Sequence, residues 1–556
     1  MVSVFCSWII IGFSAFLWGA VFTGPFLENK KEQQLALIMF SGLCALTVYS
    51  EFFSLFAKVG LSARILMLLA DIAFLFFKRN NIRYILESAG KSFSWWKILW
   101  AALSCIIVLP LASSYIINSD TYLYHAQCIR WIEEYGVVKG IGNLHSRIAF
   151  NSSFLCLQAL FSFREIAGQS MHSVNGFVAW LMLTYAGTSV KAWKHKKIYI
   201  SDGLRLSVLF FLNAVSSEFS SPGTDLMAHC LTFYIFIEWI SGLEEESDQT
   251  DTQALLSILS VYALTLKLSA ALLILFAIIP AIRLIKEKQW SKFFSAIIAG
   301  LAILLPFCWR NVIISGYLIY PMEQLDLFSF DWKMPAWICR YERQRTKAWA
   351  EGIFGKEDLS APVSVWFPFW KNEQRTTLLQ ILCADAVICL SGMVITLSRV
   401  IRKNDWRFFP VCAIMSANLL YWFLSAPHIR FGRPALLIPL FFFIGITASR
   451  IHLKKLPVIS VVLMCLLMCY PVSGLLISAR AEERHFIRSV DYEIFDMTEY
   501  PLGDFIIYIP SEGAFNGYYE FPAVLNLDTA EQIELRGTSL ADGFRVSEKL
   551  EKTEVG

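Results

Sequence analysis

Charge is what this chain is short of. Of its 556 residues only 17% are Asp, Glu, Lys or Arg, against 56% hydrophobic, where soluble proteins carry about a quarter charged. That deficit excludes an ordinary water-facing globule. Cysteine pairing is missing as well: the thirteen cysteines lie mostly inside apolar runs, none as CxxC, and their number is odd. A disulfide framework or a zinc site is therefore not expected, and Cys465 and Cys469, on one helix face, suit small-residue packing. Basic residues never gather into a patch, so nucleic acid has no footprint. No basic n-region or small-residue cleavage site accompanies the first run, Val2 to about Thr23, which reads as a span and not as a cleaved signal. Internal repeats are also lacking.

What the chain has is apolar length. Runs of about 17–25 residues recur, each able to cross a hydrocarbon core. They predict an all-α polytopic membrane protein of about fourteen transmembrane helices, centred near residues 13, 46, 69, 107, 181, 209, 234, 260, 275, 301, 387, 416, 441 and 466. Lysine and arginine mark every second loop: Lys30-Lys31; Lys78 to Lys97; Lys191 to Lys197; Arg283 to Lys288; Arg399 to Lys403; Arg450 to Lys455. By the positive-inside rule these loops are cytoplasmic and both termini are outside. The alternation holds only if residues 253–282 form two short spans turning at Lys267.

This topology leaves four external segments: residues 118–170, the turn Ser216–Asp225, the stretch from Arg310 to about 375, and the tail. The third holds Trp332, Trp337, Trp349, Trp366 and Trp370, as interfacial helices do. From Arg480 onward seven Lys/Arg face sixteen Asp/Glu, so residues 480–556 form an acidic external unit. Phe505–Pro510 and Gln532–Arg536 read as strands within it, making it a small α+β domain.

Candidate chemistry gathers on the outer side. In Asn118-Ser-Asp-Thr-Tyr-Leu-Tyr-His125 a helix begins at Ser119 or Asp120, with Tyr124, Cys128 and Trp131 on one stripe. Asp120 is either an N-cap or a carboxylate held at the membrane surface with His125 one turn on. After it, Gly140-Ile-Gly-Asn-Leu-His-Ser-Arg147 offers Asn143, His145 and Arg147 as polar contacts, or is a loop descending to the next span. Asp225 caps the next span or shares a cavity with Asp120. Lys267, Arg310, Arg430 and Arg433 sit at outer span ends, where they either snorkel or hold a phosphate. Arg340, Arg343, Arg345 and Lys347 read as a solvated or headgroup-facing helix side. Asp71, Glu238 and Asp385 are isolated acids inside spans.

An acidic loop after a span exit, many spans, basic residues at later outer helix ends and a C-terminal external domain together resemble the GT-C superfamily. More closely, Asp120-Thr-Tyr-Leu-Tyr-His125 with Gly142-Asn-Leu-His145, Ser221-Pro-Gly-Thr-Asp225, Trp309–Pro321, Arg430-Phe-Gly432 and Leu535–Arg545 resemble a bacterial multispan family related to that superfamily. The resemblance covers roughly residues 97–550. It implies three additional N-terminal helices (1–96), a GT-C-like core (97–479) with external loops 118–170 and 310–375, and the external domain (480–556). It further implies an inverting transferase of the bacterial inner membrane, taking sugar from a polyprenyl-phosphate donor to a glycan, lipid or protein acceptor. Asp120 would be the general base, assisted by His125 or Asp225; Arg310 and Arg430 would hold the lipid phosphate. Tyr124, Asn143, His145, Arg147 and Lys267 would complete substrate binding. The acidic loop has no Asp-Asp or Asp-x-Asp pair, so a divalent metal stays open without a ligand motif to support it, and no other cofactor is implied. The rival readings are a lipid-linked oligosaccharide or solute transporter, and an inactive glycan-binding relative. The polar groups lie at the rim and not at the midplane, where transporters place their sites.

Overall fold

In lipid every backbone N–H and C=O must be satisfied within the segment, so apolar runs become helices. The computed structural model describes residues 1–27, 35–91, 94–191, 197–245, 249–356, 358–373, 406–449 and 487–547. Among these, seven helices are long and apolar enough to cross a membrane: Val2–Leu27, Leu35–Ser54, Trp95–Ala112, Thr224–Leu243, Leu268–Lys286, Trp290–Ser315 and Ile429–Ala448. The protein is a helical membrane protein. The expected centres near 69, 181, 209, 260 and 416 fall on shorter helices, Leu61–Phe77, Val174–Thr188, Ile200–Ala214, Thr250–Leu266 and Phe409–Ser425. Those near 387 and 466 lie outside the described residues, as does Asp385.

The chain does break at Lys267, whose backbone is extended. Leu268–Ala277 then winds as a tight 3₁₀ helix that relaxes into the α-helix Ile278–Lys286. At about 2.0 Å and 1.5 Å per residue the combined segment reaches about 33 Å, enough for a hydrocarbon core. It folds back on Thr250–Leu266, where Ser257 Oγ donates to Phe276 O at 3.2 Å.

The three N-terminal helices, Val2–Leu27, Leu35–Ser54 and Leu61–Phe77, pack into the rest of the chain. Trp8 Nε1 donates to Ser173 O at 2.8 Å, Arg64 pairs with Glu165, and one continuous core of buried side chains runs from Val4 to Phe544. Two acids expected to be isolated have partners. Asp71 accepts from Ser14 Oγ at 2.6 Å and Trp18 Nε1 at 2.9 Å; Glu238 accepts from the Tyr185 hydroxyl and lies 3.8 Å from Arg205. Residue types alone do not reveal such contacts between distant helices.

Two glycines set the helix that matters most for the site. Gly203 and Gly445 face each other where Ile200–Ala214 crosses Ile429–Ala448. A Cβ at Gly203 would stand 2.7 Å from Phe441 O, and one at Gly445 2.6 Å from Ile200 O. Small residues allow that close approach in a membrane.

The C-terminal unit holds two antiparallel pairs, β1 (Met497–Leu502) with β2 (Phe505–Pro510) and β3 (Ile533–Leu535) with β4 (Phe544–Val546). It sits on the helix Ala126–Glu134: Gln127 Nε2 donates to Glu520 O at 2.8 Å, and Arg130 Nη1 donates to Tyr518 O at 2.8 Å. Gly140 and Gly543, both at positive φ (63 and 94), let this unit's backbone meet the loop; Phe544 N donates to Lys139 O at 2.9 Å.

Candidate functional site

Residues from four separated segments converge where the helices Thr224–Leu243 and Ile429–Ala448 begin. Arg430, in the first turn of the latter, lies between two acids. Its Nη2 donates to Asp120 Oδ2 at 2.5 Å and its Nε to Asp225 Oδ2 at 2.6 Å. The other oxygen of Asp225 takes the Lys267 ammonium. Lys267 also stands over the Phe431 ring, 4.3 Å from its centroid. Asp225, Lys267, Arg430 and Asp120 thus form one alternating chain of charge.

Neither acid acts as a helix cap. Asp120 opens a wide π-turn, Thr121–His125, and its side chain makes no capping bond. The Asn118 side chain caps instead, its Oδ1 accepting from Asp120 N at 2.9 Å, while its Nδ2 donates to Glu218 at 2.5 Å. A π-turn carries one extra residue per turn and re-aims the side chains beyond it. Gly223, not Asp225, holds the N-cap position of the next helix. Burial works to raise the Asp120 carboxyl, but the charge of Arg430 prevails and holds it below the usual carboxylate range.

His125 lies buried beside this chain with both ring nitrogens unpartnered among the described residues. Burial pushes it down to about 4, so at neutral pH it is an uncharged imidazole. Tyr124 is tilted against it, ring centroids 4.3 Å apart, and stands 6.4 Å from His145. His145 itself is buried, pushed down to about 3 by that burial, and its Nδ1 accepts from Arg147 N at 3.2 Å. The field of Arg345 reaches Arg147 together with those of Glu342, Tyr124 and Asp120.

Two expected site residues make contacts elsewhere. Asn143 is buried and donates to Trp332 O at 2.9 Å, which fixes a loop. Arg310 is buried away from the charge chain, donating to Asn151 Oδ1 at 3.1 Å and to Ser54 Oγ. The arginines of Ala336–Ala350 are mostly paired: Arg343 with Glu323 at 2.6 Å and Arg345 with Glu342 at 3.0 Å. That helix is anchored to its own loop, and its Trp349 ring lies 4.3 Å from His428, the N-cap of the helix that carries Arg430.

Below the charges a narrow open cleft runs between the helices Thr224–Leu243, Leu268–Ala277, Phe409–Ser425 and Ile429–Ala448. Its wall is mainly apolar, with Ala270, Met415, Trp422 and Ile438. His229, one turn below Asp225, lines it with both ring nitrogens unpartnered among the described residues. Sequence reading passed over His229; its i,i+4 spacing from Asp225 was the available signal. Glu51 was passed over too: it is fully buried in Leu35–Ser54, and neither of its oxygens has a hydrogen-bond partner among the described residues. Among the described residues no group of three or more His, Cys, Asp or Glu could hold a metal ion.

The chain belongs to the family described as a domain of unknown function (DUF8201), whose model matches residues 1–437. No curated protein and no solved structure matches the chain.

Proposed function

We propose, for this member of a family whose description assigns no activity, an inverting membrane glycosyltransferase of GT-C type. Its donor is a polyprenyl-phosphate-linked sugar, and its acceptor is an envelope glycan, lipid or protein on the external face. The observation that carries this reading is Arg430 between Asp120 and Asp225, with Lys267 beside them, next to a mainly apolar cleft that Phe431 and His229 line. An amphipathic donor needs that order of environments: cations for its phosphate, hydrocarbon walls for its chain. Two adjacent cations also stabilise the charge that develops on a phosphate leaving group.

In the reaction the acceptor hydroxyl gives its proton to the Asp120 carboxylate as its oxygen bonds to the sugar's anomeric carbon. The anomeric carbon–phosphate oxygen bond breaks, and its electron pair stays on the phosphate. Polyprenyl phosphate leaves with one more negative charge, facing Arg430 and Lys267. Asp225 orients both cations. His125, uncharged, lends a polar wall and adds no competing positive charge.

The test is sugar transfer from a radiolabelled polyprenyl-phosphate donor by purified protein in nanodiscs. Asp120→Asn keeps the shape and loses the basic oxygen, so transfer should fall about 10²–10⁴-fold in folded protein. Transfer at the parental rate by that variant rejects Asp120 as base.

The topology belongs to the same proposal: about fourteen spans in a bacterial plasma membrane, with residues 118–170 and the C-terminal unit outside. Lys139 and Lys197 are both exposed. In intact cells a membrane-impermeant maleimide should label Lys139→Cys and spare Lys197→Cys in a cysteine-free background. Equal labelling defeats the orientation and, with it, the external site.

A further inference from the structure

The two acids are held unequally. Asp225 has both carboxylate oxygens bound, one by Lys267 and one by Arg430, and its side chain is 4% exposed. Asp120 has a single oxygen on Arg430, and its side chain is 22% exposed. Among the described residues no other side chain hydrogen-bonds that carboxylate. A carboxylate locked on a guanidinium is a poor proton acceptor, since its lone pair is engaged and its charge compensated. The residue best placed to deprotonate an acceptor is therefore out of use in this arrangement.

We infer that Arg430 is a clasp exchanged between two anions: the phosphate group of the donor lipid takes Nη2 from Asp120, and only then is Asp120 free to accept the acceptor's proton. The inference rests on the glycosyl-transfer reading and adds an obligatory order to it, donor before base. Three observations favour exchange at Nη2. One anion replaces another, so the guanidinium keeps its compensation and no buried charge is left bare. Asp225 and Lys267 remain paired throughout, which keeps Arg430 Nε anchored while Nη2 changes partner. The exchange point borders the open cleft through Phe431, which lines it one residue from the clasp. Once released, Asp120 keeps its burial and the nearby Asp225 charge, both of which strengthen its hold on a proton against the opposing pull of His125. The other charged and titratable groups whose fields reach the clasp are His125 and Tyr124 on its own segment, Arg147 on the following loop, Glu218 and Lys267 opposite, His229 below Asp225, and His428 and Arg433 beside Arg430. The coupling keeps the base disarmed until a sugar donor is in place. Water alone, arriving without a donor, meets no activated carboxylate.

Infrared difference spectroscopy on the full-length protein in nanodiscs tests this, with the Asp120 carboxylate bands assigned by their loss in Asp120→Asn. The probes are a polyprenyl monophosphate and the neutral polyprenol of the same chain length. Binding is followed in parallel by tryptophan fluorescence, for which Trp349 and Trp422 flank the site. The phosphate should shift the Asp120 bands and the alcohol should not. In ligand-free Arg430→Gln the titration midpoint of Asp120 should already lie roughly 1–3 higher in pH than in the parent, the influence an adjacent arginine exerts. Phosphate binding with unmoved Asp120 bands overturns the clasp and leaves glycosyl transfer standing. A protein that binds no polyprenyl phosphate overturns both.

Discussion

One helix, Thr224–Leu243, carries the same motif at both ends. Near its start Arg430 lies between Asp120 and Asp225; near its end, about 20 Å away at 1.5 Å per residue, Arg205 lies between Asp202 and Glu238. Arg205 is 3.0 Å from Asp202 and 3.8 Å from Glu238, with Ser201 Oγ accepting from it at 3.0 Å and Tyr185 closing over Glu238. The difference is access. Side-chain exposure is 3%, 7% and 4% for Arg205, Asp202 and Glu238, against 21% and 22% for Arg430 and Asp120. One network is sealed by packing; the other is partly exposed and borders a cleft through Phe431. An arginine between two acids is therefore not by itself a site. It becomes one when a ligand can reach it and when one of its partners is held by a single bond.

The sealed network should break hardest. Arg205→Met strands two carboxylates in the interior, and removing one partner of a buried ion pair costs about 3–5 kcal/mol. We expect little monodisperse protein after detergent extraction and a markedly lower melting temperature. The molecules that do fold should transfer sugar at the parental rate. Loss of transfer per folded molecule would mean that the two ends of the helix are functionally coupled and that the comparison fails.

Arg430→Met should do the reverse. Water reaches Asp120, and the buried Asp225 keeps Lys267 as its countercharge, so extraction and melting should stay near parental, while apparent donor affinity falls roughly ten- to a hundredfold with the loss of a charge-assisted bond to phosphate, on the order of 1.5–3 kcal/mol. Donor affinity that is unmoved would make Arg430 a second structural strut, no different in kind from Arg205.

How much of this was legible in the sequence follows the same division between local and long-range. Asp120, Asp225, Lys267 and Arg430 each stood out as a charged residue at an outer span end. Their pairing did not, because Asp120 and Arg430 are 310 residues apart and no local pattern encodes such a contact. Arg310 carried the same local signal and packs against Ser54 and Asn151 instead; neighbours from other helices decided between them. The N-cap reading of the two acids failed for the same reason, a guanidinium outcompeting the backbone of the first turn. The break at Lys267 was legible since a charge in an apolar run has few other places to go. In the tail, Phe505–Pro510, a short run of β-branched and aromatic residues, was found as a strand. Its partner Met497–Leu502 was not, because Pro501 and Glu499 disguise it, and β4 is only three residues long.

A third acid grades the comparison between these extremes and should give the smallest effect. Glu133, on the Ala126–Glu134 helix outside the membrane-spanning segments, is buried, with Arg164 4.0 Å away and Ser170 Oγ donating at 2.8 Å. Ser170 in turn contacts the hydroxyl of Tyr518 at 3.2 Å, in the C-terminal unit. Burial pushes Glu133 up to about 7, against the pull of Ser162, Ser170, Arg164 and Arg64. A folded-state value above the ordinary carboxyl value means that the docked state binds the proton more tightly than the undocked one. Its contribution is then complete below about pH 4.5 and is lost as the pH rises through about 7. Between pH 5 and 7 the loss should be roughly 1–2 kcal/mol, smaller than for either arginine because Ser170 and Arg164 accommodate the charge that forms. Hydrogen exchange across β1 and β2 should accordingly quicken with pH beyond its intrinsic base dependence, and Glu133→Gln, which stays neutral and keeps a hydrogen-bonding oxygen, should remove that excess. Equal excess in the parent and in Glu133→Gln would show that the unit is held by Gln127, Arg130 and Phe544 alone and that Glu133 only fills space.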